Sequence, residues 1–144
     1  MTQIIQYKSN SCLDTEAFGV KIANAFKPGD IIALYGDLGS GKTTFTRGLV
    51  RGISPSKNLK VKSPSFAIVN QYDGDFKIYH IDCYRLENIE DFEDIGIDEF
   101  LFSDAITIIE WPERIEELLP KDIIKIRIET ISENERKIEV IKFV

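Results

Sequence analysis

Five consecutive apolar residues, Ile31-Ile32-Ala33-Leu34-Tyr35, run directly into Gly36-Asp37-Leu38-Gly39-Ser40-Gly41-Lys42-Thr43. No other stretch of the chain restricts the fold as tightly. An apolar run of strand length is what a strand covered on both faces of a parallel sheet needs. The octapeptide fits G-x-x-x-x-G-K-[ST], the loop that joins such a strand to a helix around a phosphate. Glycines let the backbone curl until several N–H groups point at one anion. The Lys42 ammonium is a point charge for β and γ phosphates, and the Thr43 hydroxyl is a ligand for Mg²⁺. The helix expected over about residues 43–52 adds its positive N-terminal end. A glycine-rich turn with a surface lysine is the competing reading, but it needs neither the buried strand before the loop nor the helix-prone segment after it. Asp37, Leu38, Gly39, Ser40, Gly41, Lys42, Thr43 and Thr44 are therefore the candidate site for the phosphates of a nucleoside triphosphate, with ATP and Mg²⁺ as the expected ligands.

The remaining segments fit around that unit. Loose alternation over Ile4–Lys8 marks a first strand. Ser11 or Asp14 can cap a helix over Leu13–Phe26, with Leu13, Ala17, Val20 and Ile22 at helical spacing on its inward side. Phe66–Tyr72 and Phe76–Tyr84 read as an antiparallel hairpin around Asp73-Gly74-Asp75. Asn88–Asp94 reads as a short acidic helix and Ala105–Glu110 as another buried strand. Pro112 suits the first turn of a helix through Leu119. Ile124, Ile126 and Ile128 alternate with charged residues, as do Ile138 and Val140, giving two strands around a turn near Asn134. The predicted class is α/β: a P-loop NTPase-like three-layer domain with a mixed, mostly parallel central sheet, built by residues 1–144 as a single domain.

A P-loop enzyme also needs a carboxylate at the end of a neighbouring strand to hold or order its metal. Asp82 ends one apolar run and Glu110 ends another. Each alone reads equally well as an ordinary strand-end acid. Their shared position makes them the candidate catalytic acids and, with Thr43, the candidate metal ligands. Which of the two touches the metal stays open. Ser63-Pro64-Ser65 occupies the place of a switch loop that senses the γ-phosphate, or is a plain turn. His80 reads as a half-buried strand histidine. Trp111, the one tryptophan, follows Glu110 and is an expected neighbour of the nucleotide.

Composition removes other classes. The longest apolar stretch is far short of the roughly 20 residues of a membrane helix. The first residues lack the basic and apolar regions of a signal peptide, so a cytoplasmic location and free thiols at Cys12 and Cys83 are expected. Two cysteines and one histidine do not make a structural zinc set. A net charge of −6 lacks the basic footprint of autonomous nucleic-acid binding. From Leu86 to Glu113 there are ten acidic residues and no Lys or Arg. That span is either a solvated face or a docking surface for a basic partner.

Four blocks taken together are specific: Gly-Asp-Leu-Gly-Ser-Gly-Lys-Thr-Thr-Phe (36–45), Ser-Pro-Ser-Phe (63–66), His-Ile-Asp-Cys-Tyr-Arg-Leu (80–86) and Ile-Glu-Trp-Pro-Glu (109–113). In this order, and over nearly the whole chain, they resemble the TsaE (YjeE) family, bacterial ATPases of tRNA threonylcarbamoyladenosine biosynthesis. The resemblance implies a compact P-loop domain that hydrolyses ATP slowly and works with the partners TsaD and TsaB, meeting tRNA through that complex. It assigns phosphate and metal to Lys42 and Thr43, metal and water to Asp82 and Glu110, and the nucleotide's flank to Trp111. The chain departs from the family at Ser65, where Thr is usual. A small-molecule P-loop kinase is the alternative enzyme, but the six arginines do not cluster in a lid-like loop. A GTP-dependent switch lacks its Asn-Lys-x-Asp element.

Overall fold

The computed structural model describes residues 2–57, 59–61, 69–84 and 87–143, with Phe143 described by its backbone alone. The segments 63–65 and 66–68 and Arg85 lie outside the described residues, so the switch-loop reading and the start of the first hairpin strand lie outside them too. Among the described residues seven strands form one sheet: β1 (Thr2–Ser9), β2 (Ile31–Tyr35), β3 (Val69–Asp73), β4 (Lys77–Asp82), β5 (Ile106–Glu110), β6 (Ile124–Thr130) and β7 (Arg136–Phe143). Their order is β1-β7-β6-β2-β5-β4-β3. The four central strands, β6-β2-β5-β4, run parallel. Antiparallel partners close both flanks: β3 on β4, β7 on β6, and β1 on β7. The sheet is mixed, as the sequence implies, with its parallel part confined to the centre.

Burial follows from that order. β2 and β5 are buried at every position, because helices cover both faces of a central parallel strand. Successive β2 side chains alternate between two cores. Ile32 and Leu34 join Phe18, Phe45 and Leu49 beneath the helices α1 (Cys12–Ile22) and α2 (Lys42–Ile53). Ile31, Ala33 and Tyr35 join Phe92, Ile97 and Ile115 beneath α3 (Ile89–Asp94), α4 (Ile97–Leu101) and the 3₁₀ segment Pro112–Leu118. These are the three layers.

Ser11 caps α1, its hydroxyl accepting the Asp14 N–H at 3.0 Å. The inward face of α1 differs from the sequence reading. Thr15, Phe18 and Gly19 are buried, whereas Ala17 is exposed and Leu13 is 79% exposed. Backbone approach sets the rotation: a Cβ on Gly48 of α2 would lie 2.2 Å from the Glu16 carbonyl oxygen, and one on Gly19 would lie 2.8 Å from that of Phe45. Glycine contact between the helices outweighs the tally of apolar side chains. The short acidic helix expected over Asn88–Asp94 forms as α3, and a second short helix, α4, follows it from Gly96, which sits at φ 76°. The segment after Trp111 is a 3₁₀ turn kinked at Ile115, tighter than the α-helix expected. Among the described residues no helix is long and apolar enough to cross a membrane. Cys12 and Cys83 are free thiols.

Candidate functional site

The carboxyl ends of β2, β4, β5 and β6 lie along one edge of the sheet, as parallel pairing requires. Antiparallel pairing brings the end of β1 and the start of β7 to the same edge. A cleft of about 370 Å³ opens there. Its floor is the loop from Leu38 to Thr44. Asp82, Tyr84, Glu110 and Trp111 line it from the β4–β5 side, and Ser11, Cys12, Thr15, Asn134 and Arg136 from the β1–β7 side.

The loop has its curl from backbone conformations that side chains resist. Gly39 sits at φ 77° and Gly41, the N-cap of α2, at φ 104°. The Ser40 N–H donates to the Asp37 carbonyl at 3.1 Å, closing the turn. The N–H groups of the first turn of any helix have no intrahelical acceptor, so the start of α2 presents donors towards the cleft. The Ser40 Oγ is buried in the loop without a partner among the described residues.

Lys42 is 6% exposed. Its Nζ donates to the Gly36 carbonyl at 2.6 Å and lies 3.5 Å from the centroid of the Trp111 ring. An ammonium has three donors, and Gly36 occupies one. Burial pushes the Lys42 pKa down, and the carboxylates of Glu110, Glu113, Asp82 and Asp37 oppose that shift. Trp111 takes the left-handed conformation, φ 58°, costly for an aromatic residue and common at functional sites. Its ring rests on Tyr84, 5.0 Å between centroids.

Asp82 and Glu110 are register partners across β4 and β5. Burial raises the Asp82 pKa, opposed by the Tyr84 N–H that its carboxylate accepts at 2.9 Å, while Glu110 raises it further. Glu110 is 4% exposed and pairs with the His80 Nε2. His80 is fully buried, not half-buried as its strand position suggested, because β4 is covered from both sides and Tyr72 and Glu110 supply polar partners.

Ten of the eleven candidate site residues thus line one cleft. Asp37 is the exception: it is exposed and borders a separate concavity with Tyr35 and Arg127. Among the described residues no cluster of three or more His, Cys, Asp or Glu residues forms a metal cage. The Thr43 hydroxyl and the Asp82 and Glu110 carboxylates are nevertheless all-oxygen donors on one cleft. That set fits Mg²⁺, which keeps waters and takes substrate phosphate oxygens with one or two carboxylates.

Sequence reasoning missed Arg136. From the first position of β7 its Nε donates to the Ser40 carbonyl at 2.9 Å and its Nη2 to that of Gly39 at 3.3 Å. Its Nη1 donates to Ser132 and Glu135 carbonyls at 2.7 and 2.9 Å. It ties the phosphate loop to the β6–β7 turn. One arginine opening an alternating strand carries no sequence signal of such a role; only the sheet order reveals it.

Residues 9–138 match the family model described as threonylcarbamoyl adenosine biosynthesis protein TsaE. The chain is 40% identical over 126 residues to the tRNA threonylcarbamoyladenosine biosynthesis protein TsaE of Bacillus subtilis, covering 87% of this chain and 77% of the relative. It is 34% identical over 132 residues to the protein of that name from Treponema pallidum, covering 92% and 96%. With that of Haemophilus influenzae it shares 42% identity over 112 residues, covering 77% and 69%. The crystal structure of Bacillus subtilis YdiB superposes with a TM-score of 0.80 at 33% identity, covering 99% of this chain and 87% of that one.

Proposed function

This chain belongs to the TsaE family, and we propose that it is a Mg²⁺-dependent ATP-binding protein with slow ATPase activity that serves tRNA threonylcarbamoyladenosine biosynthesis together with TsaD- and TsaB-like partners. It works as a single P-loop domain and meets tRNA through that assembly, in keeping with its net charge of −6.

The observation that carries this reading is the position of Lys42. A buried ammonium with donors to spare, between a loop carbonyl and an aromatic face, stands beside two paired strand-end carboxylates. The loop N–H groups and Lys42 bind the phosphates, and Trp111 and Tyr84 wall the cleft. Thr43 and the Asp82–Glu110 pair would hold Mg²⁺, which would neutralise charge on the phosphate oxygens. Asp82 and Glu110 orient the attacking water, whose oxygen displaces ADP from the terminal phosphorus. Binding energy comes chiefly from the loop, and turnover depends on the acids.

Steady-state phosphate release from Mg²⁺-ATP, with and without the two partners and with Lys42→Ala as control, tests the reading. Slow release that Lys42→Ala abolishes and the partners accelerate is expected. Phosphoryl transfer to a small-molecule acceptor in place of water, or no nucleotide binding, overturns it.

A further inference from the structure

Glu110 carries its carboxylate at 4% exposure, and His80, at 0%, is its hydrogen-bond partner. The other imidazole nitrogen, Nδ1, lies 3.3 Å from the Tyr72 hydroxyl, which β3 contributes. The Oε1 of Glu110 has no hydrogen-bond partner among the described residues, and Glu110 lines the cleft. We propose that His80 is the positioning residue for Glu110: held between the Tyr72 hydroxyl and the Glu110 carboxylate, with Nε2–H donating to the carboxylate, it fixes one carboxylate oxygen and leaves the other to act in the cleft. The inference rests on the hydrolysis reading above for its consequence, though not for its geometry.

An ionised carboxylate only accepts hydrogen bonds, so the His80 nitrogen that faces it carries the proton. Nδ1 meets the Tyr72 hydroxyl, which can donate or accept, so the contact anchors the far side of the ring in either role. A ring with no proton on Nε2 sets an imidazole lone pair against a carboxylate lone pair, and a buried mismatch of that kind is expensive. The chain of contacts runs sideways through the sheet from β3 through β4 to β5. It locks a long, flexible glutamate side chain that burial alone would leave free to turn. Partners of this sort behind a ligating or catalytic group change rate or metal affinity by about 10–100-fold when removed.

The chain has one histidine, so ¹⁵N spectra of the folded protein contain one imidazole. Its Nε2 is expected to carry a proton held in a hydrogen bond to Glu110. An Nε2 that carries no proton, or one averaged between bound and free states, overturns the proposal. In kinetics, His80→Phe is expected to lower kcat about 10–100-fold with ATP affinity kept. His80→Gln, whose amide also donates towards Glu110, is expected to restore most of the rate. A purely structural histidine would instead lower stability and affinity together, with no rescue by Gln. Thermal melts identify variants that fail to fold. The spectrum needs no variant. Absence of turnover in the parent protein would sink the hydrolysis reading and leave the Nε2 proton to decide the His80–Glu110 contact.

Discussion

The Lys42 ammonium lies over the Trp111 ring, 3.5 Å from its centroid, and donates to the Gly36 carbonyl. Both partners are weaker than a phosphate. Nucleotide binding is therefore expected to change Trp111 fluorescence, and the chain has no other tryptophan to obscure it. Lys42→Ala removes a charge-assisted contact of roughly 1.5–3 kcal/mol, about ten- to hundredfold in affinity. Because burial pulls the Lys42 pKa down, the cation is a burden on the empty protein. Its removal is expected to leave the melting temperature without nucleotide unchanged or raised. Fluorescence titration and thermal melts check both halves; unchanged affinity in a folded variant sinks the loop assignment.

Asp82 links pH to both stability and activity. Its carboxyl is raised by burial. A raised acid contributes stability below its unfolded-state pKa and loses it as pH rises through the folded value. At neutral pH Asp82→Asn is thus expected to melt no lower than the parent. In the proposed reading activity moves the other way, since metal binding there would need an ionised Asp82. Mg²⁺ binding is expected to weaken on acidification, from a pH above that at which an exposed aspartate protonates. Asp82→Asn and Glu110→Gln are expected to reduce turnover more than tenfold and leave nucleotide affinity within a few-fold. Parent-like hydrolysis by both variants would put the chemistry elsewhere.

The places of the phosphate loop, Glu110 and Trp111 were legible because β2 and β5 are apolar runs buried at every position, and that of Asp82 because it ends the more polar strand β4. A parallel sheet brings such ends together without further information. What was not legible depends on contacts between distant segments. The Leu13 side of α1 looked like the core face, yet Gly19 and Gly48 decide the rotation through backbone contact. Arg136 reaches the loop only because β7 runs antiparallel to β6 and opens at the same edge. His80 drew its significance from Tyr72 and Glu110, which no spacing rule connects to it.

Gly48→Ala tests the helix contact directly. Helix propensity alone favours the change by about 1 kcal/mol. The new Cβ would meet backbone, the Glu16 carbonyl oxygen at 2.2 Å, which cannot yield as a side-chain tip would. Overpacking of this kind costs about 1–3 kcal/mol or more. A melting temperature several degrees lower is expected, and a rise would show that the helices separate at no cost.

Arg136 holds the carbonyls of Ser40 and Gly39. Arg136→Ala is expected to loosen the loop and weaken ATP binding about tenfold, the net value of one or two charge-assisted hydrogen bonds. Arg136→Lys is expected to restore little, since an ammonium cannot span several carbonyls as the guanidinium fork does. Equilibrium titration with ATP and ADP reads the effect. Full affinity in Arg136→Ala would reduce the contact to a brace of the β6–β7 turn.

Hydrolysis on a phosphate loop speeds up when a cation meets the charge that develops on the transferring group. Arg136 lines the cleft, but its N–H groups are engaged with carbonyls. Arg51 and Arg47 pair with Glu16 on the outer side of the helices. Turnover by the isolated chain is therefore expected near 10⁻⁴–10⁻³ per second, on the order of P-loop proteins without a finger, with 10³–10⁵-fold available from a group supplied in trans. The surface that would draw such a partner is acidic: Glu90, Glu93 and Asp94 on α3 and Asp98 and Glu99 on α4 are exposed. Opposite charge on the partner speeds encounter and is screened by salt. Stimulation of phosphate release by TsaD- and TsaB-like proteins is thus expected to weaken as ionic strength rises. Glu93→Lys with Asp98→Lys is expected to cut stimulation while leaving the basal rate alone. Fast, salt-insensitive turnover by the chain by itself would mean that it needs no partner to complete its site.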